Sequence, residues 1–127
     1  MSTRKLYSAL IRTHHITSRK KIAILKKAAD SHECYVLLRT SGSPGVMYVE
    51  GKLEDNVNSW ISTVQKLRYK DYQLASRPKS METDTLVMSQ ITKPGVIEVS
   101  TLKEFGAIMK ERGLFDWWRA AMGYIPR

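Results

Sequence analysis

The feature that most narrows the possible folds is a repeated change of hydrophobic period between residues 5 and 77. "KLYSALIRTHH" alternates, so Tyr7, Ala9 and Ile11 share one face of an extended chain and Leu6, Ser8, Leu10 and Arg12 the other. "ITSRKKIAILKKAADS" switches to helical spacing, with Ile22, Leu25, Ala28 and Ala29 in one stripe and Thr17 or Ser18 placed to cap its start. "ECYVLLRT" is apolar almost throughout, which predicts a central strand. "SGSPGV" is a turn by composition, and "VMYVEG" is a third strand that pairs back across it. "KLEDNVNSWISTVQKLRYK" is the clearest helix, carrying Leu53, Val57, Trp60, Ile61, Val64 and Leu67 on one face. "DYQLAS" reads as a fourth strand that stops before Pro78.

The order is β-α-β-β-α-β, which predicts an α+β chain with the ferredoxin-like split β-α-β arrangement. Two helices should cover one face of a four-stranded antiparallel sheet, leaving the other to water, to the tail or to a ligand. The expected core is residues 5–80, with a helical C-terminal extension over 81–127. In the extension a second Pro-Gly-Val (Pro94, Gly95, Val96) echoes Pro44, Gly45 and Val46, which suggests the same turn-to-strand chemistry twice. A short apolar run at 86–88 precedes it. Thr101 and Glu104 have capping-box spacing ahead of Leu102, Phe105, Ile108 and Met109, and Gly113 ends that helix. "LFDWWRAAMG" predicts a last short helix capped by Asp116 and closed by Gly123. Its Phe115, Trp117, Trp118 and Met122 must dock on the domain or on a partner protein.

Charge is uneven along the chain. The net charge is +9, and residues 1–30 hold eight Lys or Arg against Asp30 alone. Residues 81–127 are neutral, with six of each sign. A basic surface concentrated at one end calls for an anionic partner, with nucleic acid first. Arg19, Lys20 and Lys21 sit in the first turn of the first helix, where cations oppose the helix dipole. A bound phosphate would remove that conflict. The predicted phosphate-contacting set is Arg12, His14, Arg19, Lys20, Lys21, Lys26 and Lys27, with structured or single-stranded RNA as the ligand. Tyr7, Tyr35, Tyr48 and Tyr72 fall on predicted strands and could stack bases on an open sheet face. Trp117 and Trp118 are the candidate protein-interaction residues.

Other chemistries find little support. Adjacent His14 and His15 diverge on a strand or a helix, so they make poor joint metal ligands, and His32 lacks the paired cysteines of zinc deaminases. No P-loop, Gly-x-Ser-x-Gly or Gly-x-Gly-x-x-Gly motif occurs, and no cofactor is implied. The loop after the first strand has no glycine, unlike the anion loop that acylphosphatases build on this fold. Cys34 in an apolar strand reads as an inert core thiol, and one cysteine forms no internal disulfide, as suits a reducing intracellular compartment, cytoplasmic or nuclear. No apolar run approaches the roughly 18 residues a membrane span needs. The expected state of the isolated domain is a non-catalytic monomer.

The motifs "HHI" before a basic helix, "PGVMYVEG", a helical Trp and "LRYKDYQL" resemble a known family. They look like the C-terminal domain shared by RWD-domain-containing proteins and a spliceosomal pre-mRNA-processing factor. The resemblance covers about residues 6–76 and implies a ferredoxin-like core. The splicing member implies RNA binding. The tail "EFGAIMKERGLFDWWRAAMG" is closer to the RWD-protein branch, which would make this chain part of a longer protein.

Overall fold

The structure, a computed structural model, describes residues 3–84 and 93–124. Its elements run β1 (Thr3–Thr13), α1 (Arg19–Ser31), β2 (Tyr35–Arg39), β3 (Gly45–Gly51), α2 (Glu54–Lys66) and β4 (Gln73–Asp84). β5 (Gly95–Val99), α3 (Leu102–Glu111) and α4 (Phe115–Met122) follow. This is an α+β fold with one five-stranded sheet in the order β4-β1-β3-β2-β5. Neighbours pair antiparallel except β5, which runs parallel to β2 with Tyr35 opposite Gly95 and Arg39 opposite Val99. The sheet thus has one strand more than the hydrophobic pattern of residues 5–77 predicts. The apolar run at 86–88 lies outside the described residues.

Two departures from expectation have local causes. β4 does not stop before Pro78 but runs on to Asp84. It is an edge strand, and the register slips between Ser8–Lys79 and Leu10–Ser76, so Pro78 sits in a bulge where its missing N–H breaks no ladder bond. α4 is not capped by Asp116. Its N-cap is Leu114 with no side-chain bond, and Asp116 lies inside the first turn, where its charge favours the dipole. Ser18 caps α1 by accepting from the Lys21 N–H, the full Thr101–Glu104 capping box opens α3, and Gly123 in the left-handed region closes α4. Both Pro-Gly-Val stretches begin strands, yet their glycines serve different needs. A Cβ on Gly45 would collide with the side chains of Thr13 and Ile16, whereas Gly95 has open space around it and a φ of 139°.

The sheet has a core on each face. On one, Ile22, Leu25 and Ala29 of α1 and Val57, Trp60 and Val64 of α2 pack on Ala9, Ile11, Val36, Leu38, Met47 and Val49. Trp60 Nε1 donates to the Leu25 carbonyl at 3.2 Å and ties the two helices together. On the other face Phe105 and Met109 of α3 and Trp118 and Met122 of α4 cover Leu10, Leu37, Val46 and Tyr48. The second face is therefore roofed by the tail, and it is not an open platform. Tyr48 is fully buried beneath that roof, Tyr35 is half-buried, and Tyr7 and Tyr72 pack against the opposite core, so the four tyrosines do not form a base-stacking surface.

Trp118 is the keystone of the roof. It stacks on Phe105 at 5.6 Å between ring centroids and is met by Phe115 and Tyr124. Gly106 allows the approach, since a Cβ there would lie 3.0 Å from the indole. Trp117 is only half-buried and touches Tyr48 edge-on at 5.9 Å. Trp118→Ala is expected to remove about 3–5 kcal/mol of unfolding free energy in urea titrations. Trp117→Ala should cost clearly less, and equal losses would contradict this placement.

Candidate functional site

α1 has an unusual charge arrangement. It begins Arg19, Lys20, Lys21, has no acid in its first turn and no base in its last. α2 shows the ordinary pattern, with Glu54 and Asp55 at its start and Lys66 at its end. Part of the conflict at α1 is resolved within the chain. Glu98 on β5 receives Arg19 through both carboxylate oxygens, at 2.8 and 3.0 Å, and Lys26 at 3.2 Å. The hydrogen bond from Arg19 above all, with help from that of Lys26, holds the Glu98 carboxyl below the usual range against the opposing effect of burial. Arg12 is engaged as well: its Nη1 donates to the Met122 carbonyl at 3.3 Å, at the negative end of α4. Arg12, Arg19 and Lys26, three of the residues predicted to touch phosphate, are thus held by carboxylate or carbonyl oxygens inside the protein, while His14 faces Asp71 and Lys21 lies over the Tyr69 ring.

His14 and Lys21 come together in a cleft of about 240 Å³. His15, Ser18, Arg68 and Lys70 complete its polar rim, and Lys21 Nζ lies 4.8 Å from the centroid of the Tyr69 ring. Lys20 and Lys27 are exposed on α1 outside this lining. Topology explains the meeting. β1 and β4 are antiparallel neighbours with Arg12 opposite Gln73, so the β1–α1 and α2–β4 loops emerge at the same end of the sheet. The His14 N–H donates to the Lys70 carbonyl at 2.8 Å, which fixes one loop against the other. Arg68 and Asp71 hold φ of 54° and 57°, a conformation that costs non-glycine residues about 1 kcal/mol or more each.

The histidines do not splay as strand geometry would have them. β1 ends at Thr13, and the two rings lie 4.7 Å apart with a 50° tilt beyond it. Asp71 Oδ2 is 3.5 Å from His14 Nδ1. Among the described residues no group of three or more His, Cys, Asp and Glu is placed to hold a metal ion. Exposed cations, two imidazoles and the free N–H groups of a helix start suit phosphate oxygens. Arg68 and Lys70 are members that sequence reasoning does not pick out, and it weighs His15 only as a metal ligand. "LRYK", two cations just past a helix end, is the available clue, but only the pairing of β1 with β4 brings it to His14.

A second polar constellation lies at the opposite end of the sheet. Glu50, near the end of β3, is 1% exposed. Tyr48 donates its hydroxyl hydrogen bond to Glu50 Oε1, and Ser8 Oγ lies 3.0 Å from the same hydroxyl. Arg112, at the end of α3, reaches Glu50 Oε2 at 3.4 Å and lays its guanidinium 3.7 Å from the centre of the Tyr35 ring. Burial pushes the Glu50 carboxyl up to about 7, although Arg112 and Tyr48 both pull it down. Burial, with help from the Glu50 charge, lifts the neighbouring Cys34 thiol to about 12, as befits an inert core thiol and not a nucleophile. Alternation alone places Glu50 on the face of Val46 and Tyr48. Its role is hidden in the sequence because a glutamate before a terminal glycine reads as a strand end in water.

The predicted protein-contact pair is split, with Trp118 in the core and Trp117 half-covered. Among the described residues no helix is long and apolar enough to cross a membrane. No protein-family profile matches the chain, and no curated protein matches it either.

The raised Glu50 value has a definite pH signature. Between the unfolded value of about 4.3 and about 7, the folded protein keeps a proton that the unfolded chain has released. The stability this group contributes is complete below that window and is lost as pH rises through it. Carboxyl-carbon NMR should therefore show Glu50 titrating with a midpoint near 7. A midpoint in the ordinary carboxylate range would mean that Arg112 outweighs burial.

Proposed function

We propose that the chain is a non-catalytic RNA-binding module that contacts phosphates through the basic end formed by the β1–α1 and α2–β4 loops. The observation that carries this reading is the convergence of Lys21, Arg68 and Lys70 with His14 and His15 around the start of α1. These groups lie where a polyanion would meet both cations and backbone N–H donors. The concentration of basic residues in 1–30 and the resemblance to the RWD and splicing-factor domain support it further. The suborder β4-β1-β3-β2, with α1 and α2 on one face, supports a ferredoxin-like core to which β5, α3 and α4 are additions. With the sheet roofed, recognition by this module rests on backbone geometry and charge, not on bases stacked across the sheet.

Binding of structured and single-stranded RNA, followed by fluorescence anisotropy over a salt series, tests the reading. Affinity should fall steeply with salt. Lys21→Glu, Arg68→Glu or Lys70→Glu should each weaken binding and lower the log–log salt slope by about 0.7–0.9 for each phosphate no longer neutralised. Glu98→Gln should strengthen binding, because it releases Arg19 and Lys26 from their internal partner. Absence of binding at low salt would sink the proposal.

A further inference from the structure

The end of the domain away from the basic cleft gathers several carboxylates. There the chain enters β2 through Glu33, leaves β3 through Glu50, and starts α2 with Glu54 and Asp55. Between these segments lies a cavity of about 550 Å³, within the range of small-molecule sites, about 300–1,000 Å³. Leu6, Leu53, Pro94 and the Tyr35 ring give it apolar walls. Glu33, Glu50 and Asn56 are its acceptor-bearing lining residues, and Lys52 is the one lysine or arginine among the lining residues. Glu50 is the decisive residue, since it is buried from bulk solvent yet is one of the cavity's lining residues. Tyr48 donates to its Oε1, and Arg112 lies 3.4 Å from its Oε2. A desolvated carboxylate held by one hydroxyl and one guanidinium is a strong attractor for a further cation that reaches the cavity.

We propose that this cavity binds a small organic ammonium ion with an apolar body, its cation set against Glu33 and Glu50 and its hydrocarbon against Leu6, Leu53 and Tyr35. The site is separate from the RNA reading and does not depend on it. An anion would meet two carboxylates against one lysine, and a neutral ligand would leave the buried carboxylate as it is. The groups around Glu50 are Arg112 from α3, Tyr35 from β2, Tyr48 from β3, Ser8 from β1 and Cys34 before β2, with Glu33 and Lys52 on the cavity wall and Glu111 near Tyr35. Tyr35, Tyr48 and Cys34 are all pushed above their ordinary values and stay protonated near neutral pH. A bound ammonium stabilises the ionised form of Glu50, so its affinity should rise between pH 6 and pH 8 as that carboxyl gives up its proton (approximately the window around 7).

The test is ligand-observed NMR and calorimetry on the full chain with three matched probes: 2-phenylethylammonium, 2-phenylethanol and 3-phenylpropanoate. The ammonium ion should bind saturably and about tenfold or more tighter than the alcohol at pH 8, the increment expected of a hydrogen bond to a charged group. The carboxylate probe should not bind. Glu33→Gln and Leu53→Trp both alter exposed side chains, so the fold should survive them. The first should weaken ammonium binding several-fold, and the second should abolish it by filling the cavity. Equal affinity for the alcohol, non-saturable binding, or ammonium binding unchanged in both variants would overturn the proposal.

Discussion

All seven residues of β3 are buried, because both faces of the sheet around it are roofed. A strand in that position cannot leave a polar side chain to water, so Tyr48 and Glu50 must find partners within the protein. They find them on β1, in Ser8, and on α3, in Arg112. The tail is thereby an integral layer. α3 and α4 cover the apolar residues of the second face, and Arg112 answers the Glu50 carboxylate that this face buries. On the other face α1 and α2 are joined through Trp60 and seal the strand from behind.

Local pattern is enough to find most of the elements. Alternation locates β1, an almost unbroken apolar run locates β2, the turn at "SGSPGV" locates β3, period 3.6 locates α1 and α2, and the capping box fixes the start of α3. What it cannot supply are choices made between distant segments. Gly95–Val99 looks like any strand preceded by a turn, and only its parallel pairing with β2 makes it the fifth member of the sheet. Pro78 looks like a stop until the strand that holds it is seen to be an edge. The same distinction holds for the basic site. His14 and Lys21 are visible as a local cluster, but Arg68 and Lys70 arrive through the β1–β4 pairing. Arg19 and Lys26, equally visible, are answered by a glutamate more than 70 residues away.

The result is a domain with electrically distinct ends. At the end where β1 finishes, loops present lysine, arginine and imidazole around a helix start. At the end where β3 finishes, Glu33 and Glu50 are among the residues lining a largely apolar cavity. Much of the long-range field is set by exposed groups that salt can screen, but Glu50 lies in a low-dielectric setting where its charge state matters to everything around it. The two proposed ligands, a polyanion and a small cation, follow from this separation and approach from opposite sides.

The ion pairs of Glu98 bear on how the molecule behaves among copies of itself. An open sheet has two edges with unsatisfied backbone groups, and such edges recruit strands from neighbouring chains. Here one edge, β5, is only five residues long and directs a charged side chain toward α1, where an incoming strand would have to accommodate it. The opposite edge, β4, carries Pro78 at a bulge with exposed Arg77 and Lys79 on either side. Short length, an enclosed charge, proline and flanking cations are recognised deterrents to edge-to-edge pairing. The glutamate that gathers two cations of α1 thus also works against edge-to-edge pairing along β5, one of the two edges the sheet has among the described residues.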